Sequence, residues 1–219
     1  MSNARDNIIS RLRRKRPEFP PRDESTYREN SDETTLQQRI ETFSKKLKSV
    51  RAEVHRVNEQ TWCAKLQSLC NEKRLQNLLY GKNGPLADSL ESAWGADDMP
   101  SLVSLDERIE SWKEPIFNDI HASVTSVRAG IAKVGTLVLW PTPEEPRTYS
   151  LVPPVHFAVL HTDKLYDSFS EVIEKESWHE GMPTNALLIS GPSKSADIEQ
   201  TLSYGVHGPT ELIVLLIEG

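Results

Sequence analysis

The chain has 219 residues, which is long enough for one well-buried domain plus an extension. Its net charge is −6, and its hydrophobic content of 37% is below the usual globular range. The acidic balance argues against nucleic-acid binding, above all over residues 151–219, where ten acidic residues stand against three basic ones and would repel a phosphate backbone. We expect a cytoplasmic protein, because no window approaches the roughly 18 apolar residues of a membrane span and the N-terminus lacks the apolar segment of a secretory signal.

Residues 1–33 are polar and carry a basic cluster between Arg11 and Arg16. Prolines at 17, 20 and 21 would end any helix there. We therefore predict a partly flexible basic arm over 1–33, followed by an α/β domain over 34–219. The arm is either a solvated tail or a docking segment for an acidic partner. A second copy of this chain, in a homodimer, is one such partner.

Helix and strand patterns alternate from residue 34 to residue 112. Apolar residues recur at helical spacing from Leu36 to Val50, which predicts the first helix. Further helices are predicted around Trp62 to Leu69, around Leu86 to Trp94, and over 107–112. Short strands are predicted between these helices, over 54–57, 75–80 and 102–105. This alternation predicts a parallel sheet with helices on its faces.

The pattern changes after His121. Strand-like segments at 124–128, 135–140 and 151–160 follow one another closely, which favours antiparallel pairing. A helix is predicted over 163–177, with Leu165 and Phe169 on its buried side. The chain then ends in a strand, a helix and a strand.

Two glycine-rich turns separate these last elements. The first, at 191–193, follows a buried apolar segment and precedes a predicted helix with Asp197 and Glu199 in its first turn. The second, at 205–209, precedes the apolar run 212–217. Open α/β sheets bind ligands outside the carboxyl ends of their strands, and we expect both turns to meet there as one site.

The predicted site is suited to an anion. A helix N-terminus has free N–H groups and a partial positive charge, so we expect a carboxylate or phosphate near the backbone of 191–195, with His207 and Arg147 converging on it. The candidate ligand-binding residues are Gly191, Ser193, Ser195, Gly205, Gly208, Gly135, Thr136 and Arg147. His207 and Asp197 are the candidate catalytic residues. Each of these residues also has a structural alternative. Ser193 or Ser195 would cap the helix, and Asp197 would interact with the helix dipole. His207 would form a hydrogen bond with its own loop, and Arg147 would be a surface arginine.

A metal site is not predicted. His156 and His161 lie five residues apart on one strand and therefore face opposite sides. Zinc would need two or three further ligands at either position.

Four segments carry a resemblance to a known family. They are G-P-S-K-S-A-D-I-E at 191–199, G-V-H-G-P at 205–209, the stretch 129–139 and the stretch 147–154. Together they resemble the LUD domain of the lactate-utilisation protein C family. Three positions depart from the family pattern. Ser195 stands where the family has Thr, and Val134 where it has Thr or Ser. Lys133 stands where the family has Glu, and this replacement adds a positive charge and removes a general base.

The resemblance implies a fold and a pathway. The fold is the NagB/RpiA/CoA-transferase-like one, a three-layer α/β/α arrangement with a Rossmann-like sheet. The pathway is the oxidation of L-lactate to pyruvate, in which iron–sulfur proteins are the implied partners.

The cysteine count narrows the role within that pathway. Iron–sulfur clusters are held by four thiolates, whereas this chain has two cysteines and no G-x-G-x-x-G motif. We therefore expect no cofactor on this chain and predict an accessory, non-redox protein. Two alternatives stay open: a free-standing enzyme of the CoA-transferase-like fold acting on a small phosphorylated or acyl substrate, and an interaction module that senses an anion.

Overall fold

A computed structural model describes residues 4–14, 34–95, 99–105, 109–196, 202–204 and 208–219. The chain divides into two units, Met1–Glu33 and Thr34–Gly219. In the first unit, helix α1 (Ala4–Arg14) has no buried residue and carries three arginines in its last turn. No helix within the described ranges has the length and apolar character needed to cross a bilayer.

The second unit contains six α-helices and twelve β-strands among its described residues. The helices are α2 (Leu36–Ser49), α3 (Trp62–Glu72), α4 (Ala87–Ala93), α5 (Ile109–Asn118), α6 (Arg147–Leu151) and α7 (Phe169–Lys175). The strands are β1 (Glu53–Asn58), β2 (Asn77–Leu79), β3 (Ser101–Val103), β4 (Ala122–Ser126), β5 (Ala129–Ile131), β6 (Thr136–Leu139), β7 (Val155–His161), β8 (Leu165–Tyr166), β9 (Leu187–Ile189), β10 (Lys194–Ala196), β11 (Leu202–Tyr204) and β12 (Glu211–Glu218).

Helix α2 shows how the local sequence sets an element. Thr35 and Gln38 form a reciprocal capping box that satisfies N–H groups at the start of the helix. Ile40, Phe43 and Leu47, at spacings of three and four, are buried on one side. The predicted helix is confirmed, and its apolar face packs on the central sheet.

The central sheet has six strands in the order β1-β12-β7-β4-β2-β3, and every pairing is parallel. Strand β12 lies between β1 and β7, and residues 212–217 are all buried. A continuous apolar run of this kind is typical of a parallel strand covered on both faces.

Helices cover both faces of this sheet. Leu66 of α3 and Leu90 of α4 pack on one face, in a core that contains Phe157 and Leu215. On the other face α2 packs over β7 and β12, and Ile116 of α5 packs near Leu79. The predicted α/β class, a mostly parallel sheet between helices, is confirmed.

A second sheet, which was not predicted as a separate unit, covers part of the α2 face. Its order is β8-β5-β6-β9, with antiparallel pairs β5–β6 and β6–β9 and a parallel pair β5–β8. Leu137 and Leu139 of β6 pack in the same core as Phe43 and Leu160. This side of the molecule therefore combines a helix with a small sheet.

Strand β6 does pair antiparallel, but its partner β5 was not predicted as a strand. The antiparallel pairing predicted after His121 is wrong for β4 and β7. These two strands are parallel neighbours in the central sheet. The segment between them, with β5, β6 and α6, acts as the crossover that a parallel pair requires. Short spacing between strand-like segments therefore misled the prediction, because the intervening strands belong to a different sheet.

Two predicted helices also differ from the structure. The helix over 163–177 is only Phe169–Lys175, and Leu165 lies in β8 beside Gly130. Ser168 caps the shorter helix by accepting from the Glu171 N–H. The helix predicted directly after residues 191–193 is wrong, because Lys194–Ala196 is a strand paired antiparallel with β11.

Candidate functional site

The two glycine-rich turns of the sequence meet in the structure. The Ser193 N–H donates to the carbonyl of Pro209 at 2.8 Å. A Cβ atom on Gly208 would lie 3.1 Å from the Cβ of Ser193, so the close approach of the turns favours glycine there. The expected convergence of residues 191–193 and 208–209 is therefore present in the described part of both turns.

A pocket of about 230 Å³ opens between them, which we call the glycine-loop pocket. Its lining residues come from the end of α6, the starts of β7 and β12, β9 and both turns: Ser150, Leu151, His156, Leu188, Ile189, Ser190, Gly191, Pro192, Ser193, Gly208, Pro209 and Leu212. Its volume suits a small metabolite rather than a nucleotide.

The pocket does not lie at the edge of the sheet where the sequence predicted it. The first turn follows β9 of the second sheet, and the second turn precedes β12 of the central sheet. The pocket therefore lies at the amino ends of β7 and β12, not at carboxyl ends of adjacent strands. Within the described residues the first turn is followed by strand β10 and not by a helix, so the predicted helix N-terminus is not found there.

His156 is the titratable side chain among the residues that line the pocket. It is fully buried at the start of β7, and its Nε2 lies 2.8 Å from the Thr125 hydroxyl. Burial lowers the pKa of His156 to about 3, so the imidazole is neutral at pH 7. Its Nδ1 is buried without a hydrogen-bond partner among the described residues. An orphaned polar atom in a pocket wall is a place where a ligand or a water molecule would bind.

Gly135 and Thr136 serve the framework around the first turn. Thr136 shares a hydrogen bond of 2.7 Å with the hydroxyl of Ser190, the residue before Gly191. Gly135 has a φ of +64°, and a Cβ there would lie 2.5 Å from the Cβ of Lys46 in α2. The structure places Gly135 against a helix rather than in the pocket.

Arg147 is not among the residues that line the glycine-loop pocket. It is exposed at the start of α6, where it borders a separate small cavity of about 10 Å³ with Thr125 and Glu145. Glu145 is buried and accepts hydrogen bonds from the backbone and hydroxyl of Ser126. Burial raises the pKa of Glu145, which these bonds only partly oppose.

Several predicted site residues lie outside the described residues. Asp197, Gly205 and His207 are among them, and for Ser195 only the backbone, in β10, is described. No group of three or more His, Cys, Asp or Glu side chains that would hold a metal occurs within the described ranges.

His156 and Ser150 are two of the polar pocket residues that were not predicted as site residues from the sequence. His156 sits within an apolar strand, where a lone histidine reads as part of the core. Ser150 directly precedes the segment predicted as strand, 151–160, and lies near the end of α6. The sequence feature that could have identified His156 is its place as a titratable residue inside an apolar run. A polar side chain buried in such a run needs a hydrogen-bond partner, which can be a ligand.

Comparison with known proteins gives one family. The model of the LUD domain family matches residues 40–217. The uncharacterized protein NMB1437 of Neisseria meningitidis serogroup B is 38% identical over 224 residues, which cover 98% of this chain and 94% of that protein.

Proteins named lactate utilization protein C match over shorter stretches. The one from Bacillus licheniformis is 31% identical over 147 residues, covering 64% of this chain and 58% of that protein. The one from Exiguobacterium is 33% identical over 100 residues, 43% of either chain. The match thus spans less than two thirds of both of these relatives.

A solved structure has the same fold. The crystal structure of a DUF162 family protein from Deinococcus radiodurans superimposes with a TM-score of 0.61 over 84% of this chain and 99% of that chain. The two sequences are 18% identical.

Proposed function

Because this chain belongs to the LUD domain family, as its motifs predicted, we propose that it acts in lactate utilization as a non-redox protein. Its partners in this proposal are iron–sulfur proteins, which carry the electrons released when L-lactate is oxidised to pyruvate. The names of the lactate utilization protein C relatives support the pathway. The role within the pathway rests on the cysteines of this chain.

The cysteines are the observation that carries the non-redox role. The chain has two, half the number of thiolates that an iron–sulfur cluster takes. Cys63 is half-buried and Cys70 is buried. Burial raises the pKa of Cys63 to about 11, with a contribution from Glu59, and the pKa of Cys70 to about 12. Both stay protonated near neutral pH, whereas metal binding uses the thiolate.

The glycine-loop pocket supports a small carboxylate as the ligand. A 2-hydroxy acid offers a hydroxyl group and carboxylate oxygens, and one of these can pair with the Nδ1 of His156 in either tautomer. Leu188 and Leu212 supply apolar contacts for a methyl group. Asp197 and His207, which lie outside the described residues, stay our candidates for proton transfer in this proposal.

Growth on lactate tests the role in the pathway. We expect a deletion strain of the native host to grow on succinate but not on L-lactate as sole carbon source, and a plasmid copy to restore growth. Tagged protein from lactate-grown cells should co-purify with iron–sulfur proteins, recognised by their visible absorbance and iron content. Normal growth of the deletion strain on lactate, with no second copy in the genome, would contradict the proposal.

Calorimetry with the purified chain tests the ligand separately. We expect L-lactate or pyruvate to bind, and His156→Phe, which removes both ring nitrogens, to weaken binding at least tenfold. The matched control is His179→Gln, an exposed histidine outside the glycine-loop pocket, which should leave affinity unchanged. Equal affinities for the wild type and His156→Phe, with both folded, would remove His156 from the site.

A further inference from the structure

A second cavity, of about 650 Å³, lies at the opposite edge of the central sheet. Residues that follow the carboxyl ends of β2, β4 and β7 line it, and we call it the switch-point cavity. Its lining is Pro85, Leu86, Ser126, Val127, Arg128, Trp140, Thr142, Val159, His161, Asp163, Lys164 and Glu176. It shares no residue with the glycine-loop pocket.

The strand order explains why a crevice forms here. From β2 the chain continues to β3 on one side, whereas from β4 it continues to β7 and then β12 on the other. The connection after β2 forms α4 on one face of the sheet, and the connection after β4 forms β5 and β6 on the opposite face. Neighbouring strands whose connections diverge in this way leave an opening at their carboxyl ends, where open α/β sheets bind ligands.

The cavity wall holds two cations above one buried carboxylate. Arg128 Nε lies 2.7 Å from Glu176 Oε2, and Lys164 Nζ lies 3.1 Å from Glu176 Oε1. The Glu176 side chain is 2% exposed, while those of Arg128 and Lys164 are 47% and 44% exposed. The carboxylate is therefore a buried counter-ion within the wall, and the more exposed cations are the groups that a ligand in the cavity would meet first.

Arg128 and Lys164 have N–H groups that their bonds to Glu176 do not use and that can donate to a ligand. A guanidinium has five N–H groups and an ammonium three, and one acid takes up few of them. Asp163 is exposed at the same rim, and His161 pairs with Glu59 at 3.1 Å. The negative charge of Asp163 disfavours a phosphate dianion, so this balance suits a single carboxylate.

The other part of the wall is apolar and held in place. The Arg128 guanidinium carbon lies 5.1 Å from the ring centroid of Trp140, and the Trp140 and Trp178 rings meet edge to face at 5.4 Å. Pro85 and Leu86 line the cavity from the loop after β2. A ligand that contacts both parts of the wall needs an anionic end and an apolar body.

We infer that the switch-point cavity binds an organic carboxylate, whose anionic group contacts Arg128 and Lys164 and whose apolar part packs on Trp140 and Leu86. This site is independent of the proposed role in lactate utilization and of the glycine-loop pocket.

Calorimetry on the full chain with 4-phenylbutyrate as probe, and its neutral amide as the matched ligand, tests this inference. We expect the carboxylate to bind and the amide to bind at least tenfold more weakly. Arg128→Gln should weaken binding of the carboxylate about ten- to hundredfold, the effect of losing a charge-assisted hydrogen bond. Lys45→Gln in α2, outside this cavity, should not change it.

Glu176→Gln should strengthen binding of the carboxylate, whereas Arg128→Gln should weaken it. Removing the counter-ion leaves the two cations with an extra positive charge, so affinity for the carboxylate should rise severalfold while that for the amide stays constant. If a variant fails to fold, as judged by circular dichroism, Arg128→Lys replaces Arg128→Gln and should give intermediate binding. Absence of binding by the wild type, or equal affinity for the carboxylate and the amide, would overturn the inference.

Discussion

Tyr166 donates its phenol hydroxyl to Oε1 of Glu176 at 2.7 Å, and this bond joins a residue of β8 to the turn after α7. Burial alone would raise the pKa of Glu176. The hydrogen bonds from Tyr166 and Lys164, with the charges of Arg128 and Lys164, more than offset burial and lower it. The carboxylate therefore stays ionised although it is buried.

Tyr166→Phe removes this donor and keeps the ring. We expect it to lower the free energy of unfolding at pH 7 by about 1.5–3 kcal/mol, the range for a hydrogen bond to a charged group. The lowered pKa of Glu176 contributes stability that is present above its ordinary pKa of 4.5 and is lost as the pH falls through the lowered value. The variant should lose less stability than the wild type between pH 7 and pH 3, measured by urea denaturation.

Tyr80→Phe is the matched control for that experiment. Tyr80 also donates to a glutamate, Glu91, at 2.7 Å, but Glu91 is exposed to solvent. Tyr80→Phe should lower the free energy of unfolding by less than Tyr166→Phe does, because water can replace the phenol as a donor to Glu91. Equal costs for the two variants would contradict the role of burial at Glu176.

His156 should make the fold sensitive to mild acid. Its pKa is about 3 in the folded chain, well below the ordinary 6.5, so below pH 6.5 the unfolded chain binds a proton that the folded chain does not. Stability is therefore lost as the pH falls from 6.5 toward 3, by about 1.4 kcal/mol per pH unit for this group. His156→Gln should flatten the loss between pH 6.5 and pH 4.5 in urea denaturation. An unchanged slope would show that His156 is not the group responsible.

Gly135 should tolerate no side chain. Its φ of +64° disfavours L-residues, and an added Cβ would lie 2.5 Å from the Cβ of Lys46 and 3.2 Å from the backbone nitrogen of Leu47. We expect Gly135→Ala to lower the free energy of unfolding by more than about 2 kcal/mol, from strain and displacement of α2. Gly181→Ala, where the added Cβ meets nothing within 4 Å, is the control and should change stability by less than about 1 kcal/mol.

The thiols should react slowly in the folded protein. With a pKa raised by burial from 9.0 to about 12, Cys70 has about a thousandfold less thiolate at pH 8 than an ordinary thiol. Cys63, at about 11, has about a hundredfold less. In an assay with a thiol-specific disulfide reagent, both should react fully in urea and far more slowly without it. Rapid native labelling of Cys70 would contradict its burial.

The sequence predicted that two turns meet, but not the strand that follows the first of them. The turn at 191–193 and the turn at 208–209 were expected to meet, and they do. The second turn leads into β12, which is buried in the core, and the first follows β9, which is held by its pairing with β6. The helix after Ser193 was predicted from a turn followed by small and acidic residues. Such residues are also compatible with a hairpin, and the partner strand β11 favours the hairpin through tertiary contacts that local propensity does not record.

Local patterns by themselves determined the amphipathic helix α2, the buried run of β12, the family and the number of thiols, since each depends on residues that are close in the chain or on composition. Only the tertiary structure decided which edge of the sheet each turn occupies and that Arg128, Lys164 and Glu176 share one cavity wall. Strand order and ion pairs between distant segments follow from how the elements pack around the core. That packing is a property of the whole chain, and no short stretch of sequence encodes it.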